Sequence, residues 1–266
     1  MKYKAVISDL DGTLLNNNHR ISGYTKKTIK KLMNEGIHFF IATGRHHEDI
    51  QHIKRSLQLD TTFITSNGCG VYNSNKEKIL GYNLDENITK TLIDLDVDDD
   101  IHKNLYQEDK WYVERENEWL YQFNKESDFF YDIIDFNTLN TYKATKFFFL
   151  SENHDKLVKL QDRIKEIFPK ELNISFSLVN SLEIMPKGIS KGYAIKKVLK
   201  QYNILPEEAI AFGDGLNDLE MLRTVGEGFI MDNAHDKLKE ALPDYEIITN
   251  NEDNGVAKKL EEIFQI

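Results

Sequence analysis

Three short apolar runs in this chain each stop at residues with chemistry to offer, and that recurrence restricts the fold more than any other feature. Tyr3 to Ser8 runs into Asp9-Leu10-Asp11-Gly12-Thr13, His38 to Ala42 into Thr43-Gly44-Arg45, and Ala209 to Phe212 into Gly213-Asp214-Gly215. Each run is short, rich in β-branched or aromatic residues and apolar on both faces, which fits a strand buried on both sides. Helical patterns lie between the runs. Ser22 offers an N-cap, Ile29, Leu32 and Met33 fall at helical spacing, and Gly36 stands where a C-cap belongs. A further helix is expected from Glu48 to about Leu57, and Thr62 to Thr65 reads as another strand ending at Ser66-Asn67-Gly68. The tail repeats the rhythm, with helices expected at Lys191–Tyr202, Leu219–Val225 and Gly255–Phe264, and strands at 228–231 and 245–248. Alternating strands and helices predict an α/β fold with a parallel sheet between helical layers.

The middle of the chain breaks that rhythm. From about Leu84 to Pro186 aromatics are dense, and strands at Trp111–Val113, Thr145–Leu150, Ile174–Val179 and Ser181–Met185 have an antiparallel style. Helices are expected at Glu86–Leu95, Glu118–Tyr131 and His154–Phe168. The expected organisation is therefore a core of residues 1–83 and 187–266 with an inserted α+β domain of residues 84–186.

In open α/β sheets ligands bind beyond the carboxyl ends of strands, and that is where Asp9, Asp11, Thr43, Asp214 and Asp218 fall. Converging carboxylates repel one another and resist desolvation. A hard divalent cation with oxygen ligands relieves both costs, and Mg²⁺ is the usual one. A carboxylate beside such a cation can attack phosphorus to give an aspartyl-phosphate. Each motif alone reads as a turn, since Asp and Gly favour turns for local reasons; it is their joint placement at strand ends that points to a site.

The combination resembles the haloacid dehalogenase (HAD) superfamily of phosphohydrolases. Asp9-Leu10-Asp11-Gly12-Thr13-Leu14-Leu15 matches its first motif, Thr43 the second, Lys191 in Ile189-Ser190-Lys191-Gly192 the third, and Phe212-Gly213-Asp214-Gly215-Leu216-Asn217-Asp218 the fourth. All four stand in family order across nearly the whole chain. Ser66-Asn67-Gly68, Pro186-Lys187-Gly188 and Met231-Asp232-Asn233-Ala234 look like the Cof-type subfamily with its type IIB cap, although that subfamily usually has Gly where this chain has Asp232. The resemblance implies a Rossmann-like parallel sheet core and a cap inserted between the second and third motifs. It implies that Asp9 is the nucleophile and Asp11 the general acid and then base. It makes Thr43, Gly44, Lys191 and Asn217 phosphate-binding residues. It assigns Mg²⁺ to Asp9, Asp11 (through its carbonyl), Asp214 and Asp218. Arg45 and Asn67 are candidates for substrate contact. The expected reaction is hydrolysis of a small phosphorylated metabolite, such as a sugar phosphate.

Composition bounds the partners. Lys and Arg number 34 against 44 Asp and Glu, a formal charge of −10. So acidic a chain is a poor general binder of nucleic acid, where affinity comes from cations meeting phosphates. The single cysteine, Cys69, excludes an intramolecular disulfide. No stretch approaches the ~20 apolar residues of a membrane span, and the expected setting is the cytoplasm. Oligomeric state is not legible.

Three rival readings share these motifs. A phosphotransferase or mutase of the phosphomannomutase kind makes the same intermediate and differs only in the acceptor. A phospho-accepting signalling module, like bacterial receiver domains, lacks the second Asp two positions after the nucleophile, which here is Asp11. A non-catalytic binder is expected to have lost a catalytic residue. Other features point nowhere functional: Asp96-Val97-Asp98-Asp99-Asp100 lacks the Gly and Glu of a calcium loop, His46 and His47 read as surface residues, and Cys69 as a small core hydrophobe.

Overall fold

The computed structural model describes residues 2–57, 59–117, 120, 127 and 129–266. Its strands are Ala5–Ser8 (β1), His38–Ala42 (β2), Thr62–Thr65 (β3), Gly70–Tyr72 (β4), Lys78–Gly81 (β5), His102–Gln107 (β6), Lys110–Val113 (β7), Asp132–Ile133 (β8), Lys146–Leu150 (β9), Leu172–Leu178 (β10), Ser181–Pro186 (β11), Ala209–Gly213 (β12), Glu227–Met231 (β13) and Glu246–Ile248 (β14). They form two sheets, one in the order β14-β13-β12-β1-β2-β3-β4-β5, the other β10-β11-β9-β6-β7-β8.

In the first sheet, β14 through β3 pair in parallel. Strand alternation splits their apolar residues between two cores. Val6, Phe39, Ile41, Phe63, Ile210 and Phe212 face Ile29 and Leu32 of the helix Gly23–Asn34 and Val256 and Leu260 of the helix Gly255–Phe264. Ala5, Ile7, Phe40, Ala42, Ile64 and Ala211 face Ala194, Val198 and Leu199 of the helix Lys191–Gln201 and Met221 of the helix Leu219–Thr224. The sheet is not wholly parallel. A hairpin of β4 and β5 adds antiparallel strands at the β3 edge, too short and too interrupted by the Asn73–Glu77 turn for the sequence pattern to show them.

The second sheet is antiparallel except for β7 with β8. The helices Glu86–Asp94 and His154–Ile167 cover one face, where Leu92, Leu157 and Ile164 meet Leu105, Phe147, Phe149, Leu182 and Ile184. The opposite face carries Tyr106, Trp111, Val113, Phe148 and Leu150. The central β6 was not foreseen, because His102, Lys103, Asn104 and Gln107 hide its apolar residues. The helix expected at 118–131 lies mostly outside the described residues; at its far end Phe129–Tyr131 are not helical and lead into β8. Among the described residues no helix is long and apolar enough to cross a membrane.

Candidate active site

β12, β1 and β2 are neighbours in the sheet, so their carboxyl ends bring Asp214, Asp9 and Thr43 side by side. Asp9 closes β1, held by its amide to the Phe212 carbonyl at 3.0 Å. Lys191 reaches it from the first residue of a helix whose N-cap, Ser190, accepts from the Tyr193 amide. The Lys191 Nζ donates to Asp9 Oδ1 and to Asp218 Oδ1, each at 2.7 Å. Asp218 is wholly buried. Its Oδ2 accepts the amides of Asp214 and Gly215 at 3.0 and 2.9 Å, which folds the loop after β12 around it. Asp214 Oδ1 accepts from Thr13 at 2.6 Å. Gly12 makes this approach possible: its φ is +75°, and a Cβ there would stand 2.3 Å from Asp214 Oδ2.

Asp9, Asp214 and Asp218 thus share one buried locus with a single ammonium. Burial, and then the Asp218 charge, raises the Asp9 carboxyl well above its ordinary range and pushes Asp214 up to about 7. Burial works against the charge on Lys191, yet the Asp218 and Asp9 carboxylates hold its pKa above the usual lysine value. One oxygen from each of the three acids lies within 4.8 Å of the others. An all-oxygen, electron-rich set of this kind fits a hard divalent cation such as Mg²⁺.

The Asp11 side chain stands apart from that locus. Arg45 forks onto it, Nε to Oδ2 at 2.7 Å and Nη2 to Oδ1 at 2.6 Å. Burial raises the Asp11 carboxyl, but the Arg45 charge and hydrogen bonds outweigh it and hold the group well below the usual carboxylate range. The sequence reading placed Asp11 among the metal residues through its carbonyl, and the carboxylate engaged by Arg45 leaves that carbonyl uninvolved in the fork. Arg45 was read as a substrate contact, and its guanidinium also bridges to Asp49 Oδ2 at 3.3 Å.

Thr43 is buried and its Oγ1 accepts the Arg45 amide at 3.1 Å. Asn217 donates to Asn67 Oδ1 at 2.9 Å. Asn67 lies in the left-handed region, which Asn tolerates better than most residues, and its Nδ2 donates to Glu183. Asn67 is therefore a link between the two sheets and faces Glu183 where a substrate contact was expected. Glu183 Oε1 accepts from Lys146 at 2.9 Å and Ser177 at 2.8 Å, and Lys146 also donates to the Gly44 carbonyl at 2.9 Å. Sequence reasoning missed this buried pair. The signal was there: Lys146 begins the apolar run Phe147-Phe148-Phe149-Leu150, and Glu183 interrupts Leu182 and Ile184.

His46 and His47 were read as surface residues and are buried. They pack against the β6–β7 turn. The His46 Nε2 pairs with the Glu108 carbonyl and the His47 Nε2 with Asp109 Oδ1, both at 2.9 Å. The His46 ring stacks on Phe129 with centroids 4.6 Å apart. Asp232, the departure from the subfamily wording, is exposed and free of left-handed strain, while its neighbour Asn233 donates to the Gly12 carbonyl at 2.7 Å. A cavity of about 430 Å³ joins the parts. Asp9, Asp11, Thr43, Asp214 and Asn217 form its floor, and Tyr106, Trp111, Phe148 and Leu150 its far wall.

The sequence profile of the haloacid dehalogenase-like hydrolases matches residues 6–260. A protein of Buchnera aphidicola subsp. Baizongia pistaciae is 39% identical over 263 residues, covering 98% of both chains. The HMP-PP phosphatase of Escherichia coli O6:H1 is 33% identical over 252 residues, covering 95% of this chain and 92% of its own. The solved structure of the HAD subclass IIB sugar phosphatase BT4131 superposes with a TM-score of 0.85 at 23% identity, covering 99% of this chain and all of that one, and shares the fold. With its motif residues gathered at one set of strand ends, the chain belongs to the haloacid dehalogenase-like hydrolase family and is a phosphoric monoester hydrolase of its Cof type.

Proposed function

We propose that the protein is a Mg²⁺-dependent phosphatase that hydrolyses a small phosphorylated metabolite through an aspartyl-phosphate at Asp9. The observation that carries this reading is the buried locus of Asp9, Asp214 and Asp218 around Lys191. Asp9 attacks phosphorus and the ester oxygen leaves with a proton from Asp11. Asp11, then ionised, takes a proton from the water that attacks the phospho-aspartate, and phosphate is released. Thr43, the Gly44 backbone, Lys191 and Asn217 hold the phosphoryl oxygens, with Lys191 offsetting the Asp9 charge as it forms the bond. Asp9 and Asp214, with the Asp11 carbonyl, would hold the cation, and Asp218 supports them from behind through Lys191 and the loop amides. When bound, the cation neutralises the phosphoryl oxygens and draws the carboxylates together. Residues 84–186 act as a cap that excludes bulk water and selects the leaving group. The names of the relatives, an HMP-PP phosphatase and a sugar phosphatase, support a small phosphorylated substrate.

The test is release of inorganic phosphate from p-nitrophenyl phosphate with Mg²⁺, with chelator and with Asp9→Asn. Activity needing both the cation and Asp9 is expected. Activity that survives in Asp9→Asn sinks the aspartyl-phosphate, and phosphate that appears only on a second alcohol makes the protein a phosphotransferase.

A further inference from the structure

Glu183 lies on β11, in the sheet of the inserted segment, and is 4% exposed. Its Oε1 accepts from Lys146 Nζ and Ser177 Oγ, and its Oε2 accepts from Asn67 Nδ2. Asn67 is buried beyond the end of β3, where its backbone amide donates to the Thr43 carbonyl at 3.0 Å. Its Oδ1 accepts from Asn217 Nδ2 at 2.9 Å. Side-chain hydrogen bonds therefore run without a break from Glu183 in one sheet, through Asn67, to Asn217 on the cavity that holds Asp9.

Such a chain has a sense. An ammonium only donates, a carboxylate only accepts, and a carboxamide has one end of each kind. Lys146, which also donates to the Gly44 carbonyl at 2.9 Å, anchors the donating end. Because Glu183 accepts, Asn67 must turn its Nδ2 toward it. That leaves Oδ1 for Asn217, which must answer with its own Nδ2. Asn217 Nδ2 carries two protons and gives one to Asn67, leaving the other for an acceptor, and a phosphoryl oxygen is an acceptor. No member of the chain can flip alone, because a single flip sets two donors or two acceptors face to face in a buried place, which is costly. Reversed as a whole, the chain would put Asn217 Oδ1 where Nδ2 now stands, one oxygen against another at the phosphoryl site.

We infer that Glu183 is a positioning residue: acting through Asn67, it fixes the donor end of the Asn217 amide for the phosphoryl group. This rests on the proposed phosphatase function, in which Asn217 holds a phosphoryl oxygen, and adds the group that aims it. Glu183→Gln keeps the shape and reverses the sense. Lys146 draws the new amide's oxygen, the NH₂ turns to Asn67, and both asparagine amides are driven to flip. Asn67→Asp does the opposite. It sets two acids against each other, at a cost in stability, yet an acid at position 67 still accepts from Asn217. The two substitutions combined remove that repulsion and keep the accepting oxygen.

Calorimetric binding of inorganic phosphate in the presence of Mg²⁺ tests it, with melting temperatures measured alongside and p-nitrophenyl phosphate turnover as the control for the site. Glu183→Gln should raise the phosphate Kd by ~10-fold or more, the worth of a hydrogen bond to a charged group. Asn67→Asp should lower the melting temperature and leave the Kd near the wild-type value, a split that a merely structural role does not give. The double variant should bring the Kd back from its Glu183→Gln level. Lys146→Met with Glu183→Leu replaces the buried pair by apolar side chains, a change that folded proteins often tolerate. It should also raise the Kd, since nothing then holds the Asn67 amide in its sense, and it keeps the test available where Glu183→Gln does not fold. A Kd unmoved when Glu183 is replaced, a Kd that the double variant does not restore, or affinity losses that follow the melting temperature across all variants overturn the inference while leaving the phosphatase standing. A wild type that neither binds phosphate nor turns over p-nitrophenyl phosphate counts instead against the phosphatase reading itself and takes the inference down with it.

Discussion

Arg45 grips Asp11 through both carboxylate oxygens, at 2.7 and 2.6 Å. Paired in this way Asp11 is held ionised, which suits the base that activates water. The acid that protonates a leaving oxygen is the other form of the same group, so the fork must loosen as substrate arrives. Planar, bidentate geometry of this kind fixes orientation as well as charge.

The role of Asp11 is separable by leaving group. Asp11→Asn should lower kcat for an alkyl phosphate by ~10²–10⁴-fold, the usual worth of a positioned acid or base. The loss for p-nitrophenyl phosphate should be smaller, because nitrophenolate departs without a proton. Equal losses on the two esters, compared in the single-turnover release of the alcohol, which precedes the shared hydrolysis of the phospho-aspartate, would remove the acid role.

Lys191 should matter to folding as much as to chemistry. It is 1% exposed and is the ammonium shared by Asp9 and Asp218. Lys191→Met keeps the bulk and leaves the buried carboxylates uncompensated, at a cost of about 3–5 kcal/mol. Urea unfolding at neutral pH without metal measures it. Asp9→Asn under the same conditions should be far milder, since it removes one of the mutually repelling acids and leaves Lys191 its bond to Asp218.

Metal should stabilise the protein through the same locus. Only the folded chain brings the three carboxylates together, so if they hold Mg²⁺ the melting temperature should climb with Mg²⁺ concentration; ligand at ~100 times its Kd contributes about 2.7 kcal/mol. Asp214→Asn should abolish most of that rise. A thermal shift identical in wild type and variant would place the cation elsewhere.

The burial of His46 predicts a pH response. Burial, and then the neighbouring His47, pushes the His46 pKa well below its ordinary value. The unfolded chain therefore takes up a proton below about pH 6.5 that the folded chain refuses. The contribution of neutral His46 is complete above that pH and is lost as pH falls, by at most about 1.4 kcal/mol per pH unit. Melting temperatures between pH 7.5 and 5 should show this fall, and His46→Phe, which keeps the stack on Phe129, should flatten part of it. His47, also lowered by burial, supplies a further part.

Periodicity and punctuation were enough to read the α/β alternation and the residues that end each central strand, because these are local properties of the chain. Asp9, Thr43, Lys191, Asp214 and Asp218 were legible for that reason, helped by a motif order that the family shares. Which strands are neighbours is not local. Only the sheet order β12-β1-β2 sets Asp214, Asp9 and Thr43 side by side, and only packing chose Arg45 as the partner of Asp11 and Glu183 as the partner of Asn67. β4, β5 and β6 escaped because short or polar strands are stabilised by pairing more than by their own pattern. His46 and His47 read as surface residues, and it is the β6–β7 turn that covers them. Asp49 Oδ1, without a hydrogen-bond partner among the described residues, belongs to the same class of fact: a sequence records that a carboxylate is present, while the tertiary structure decides what each of its oxygens meets.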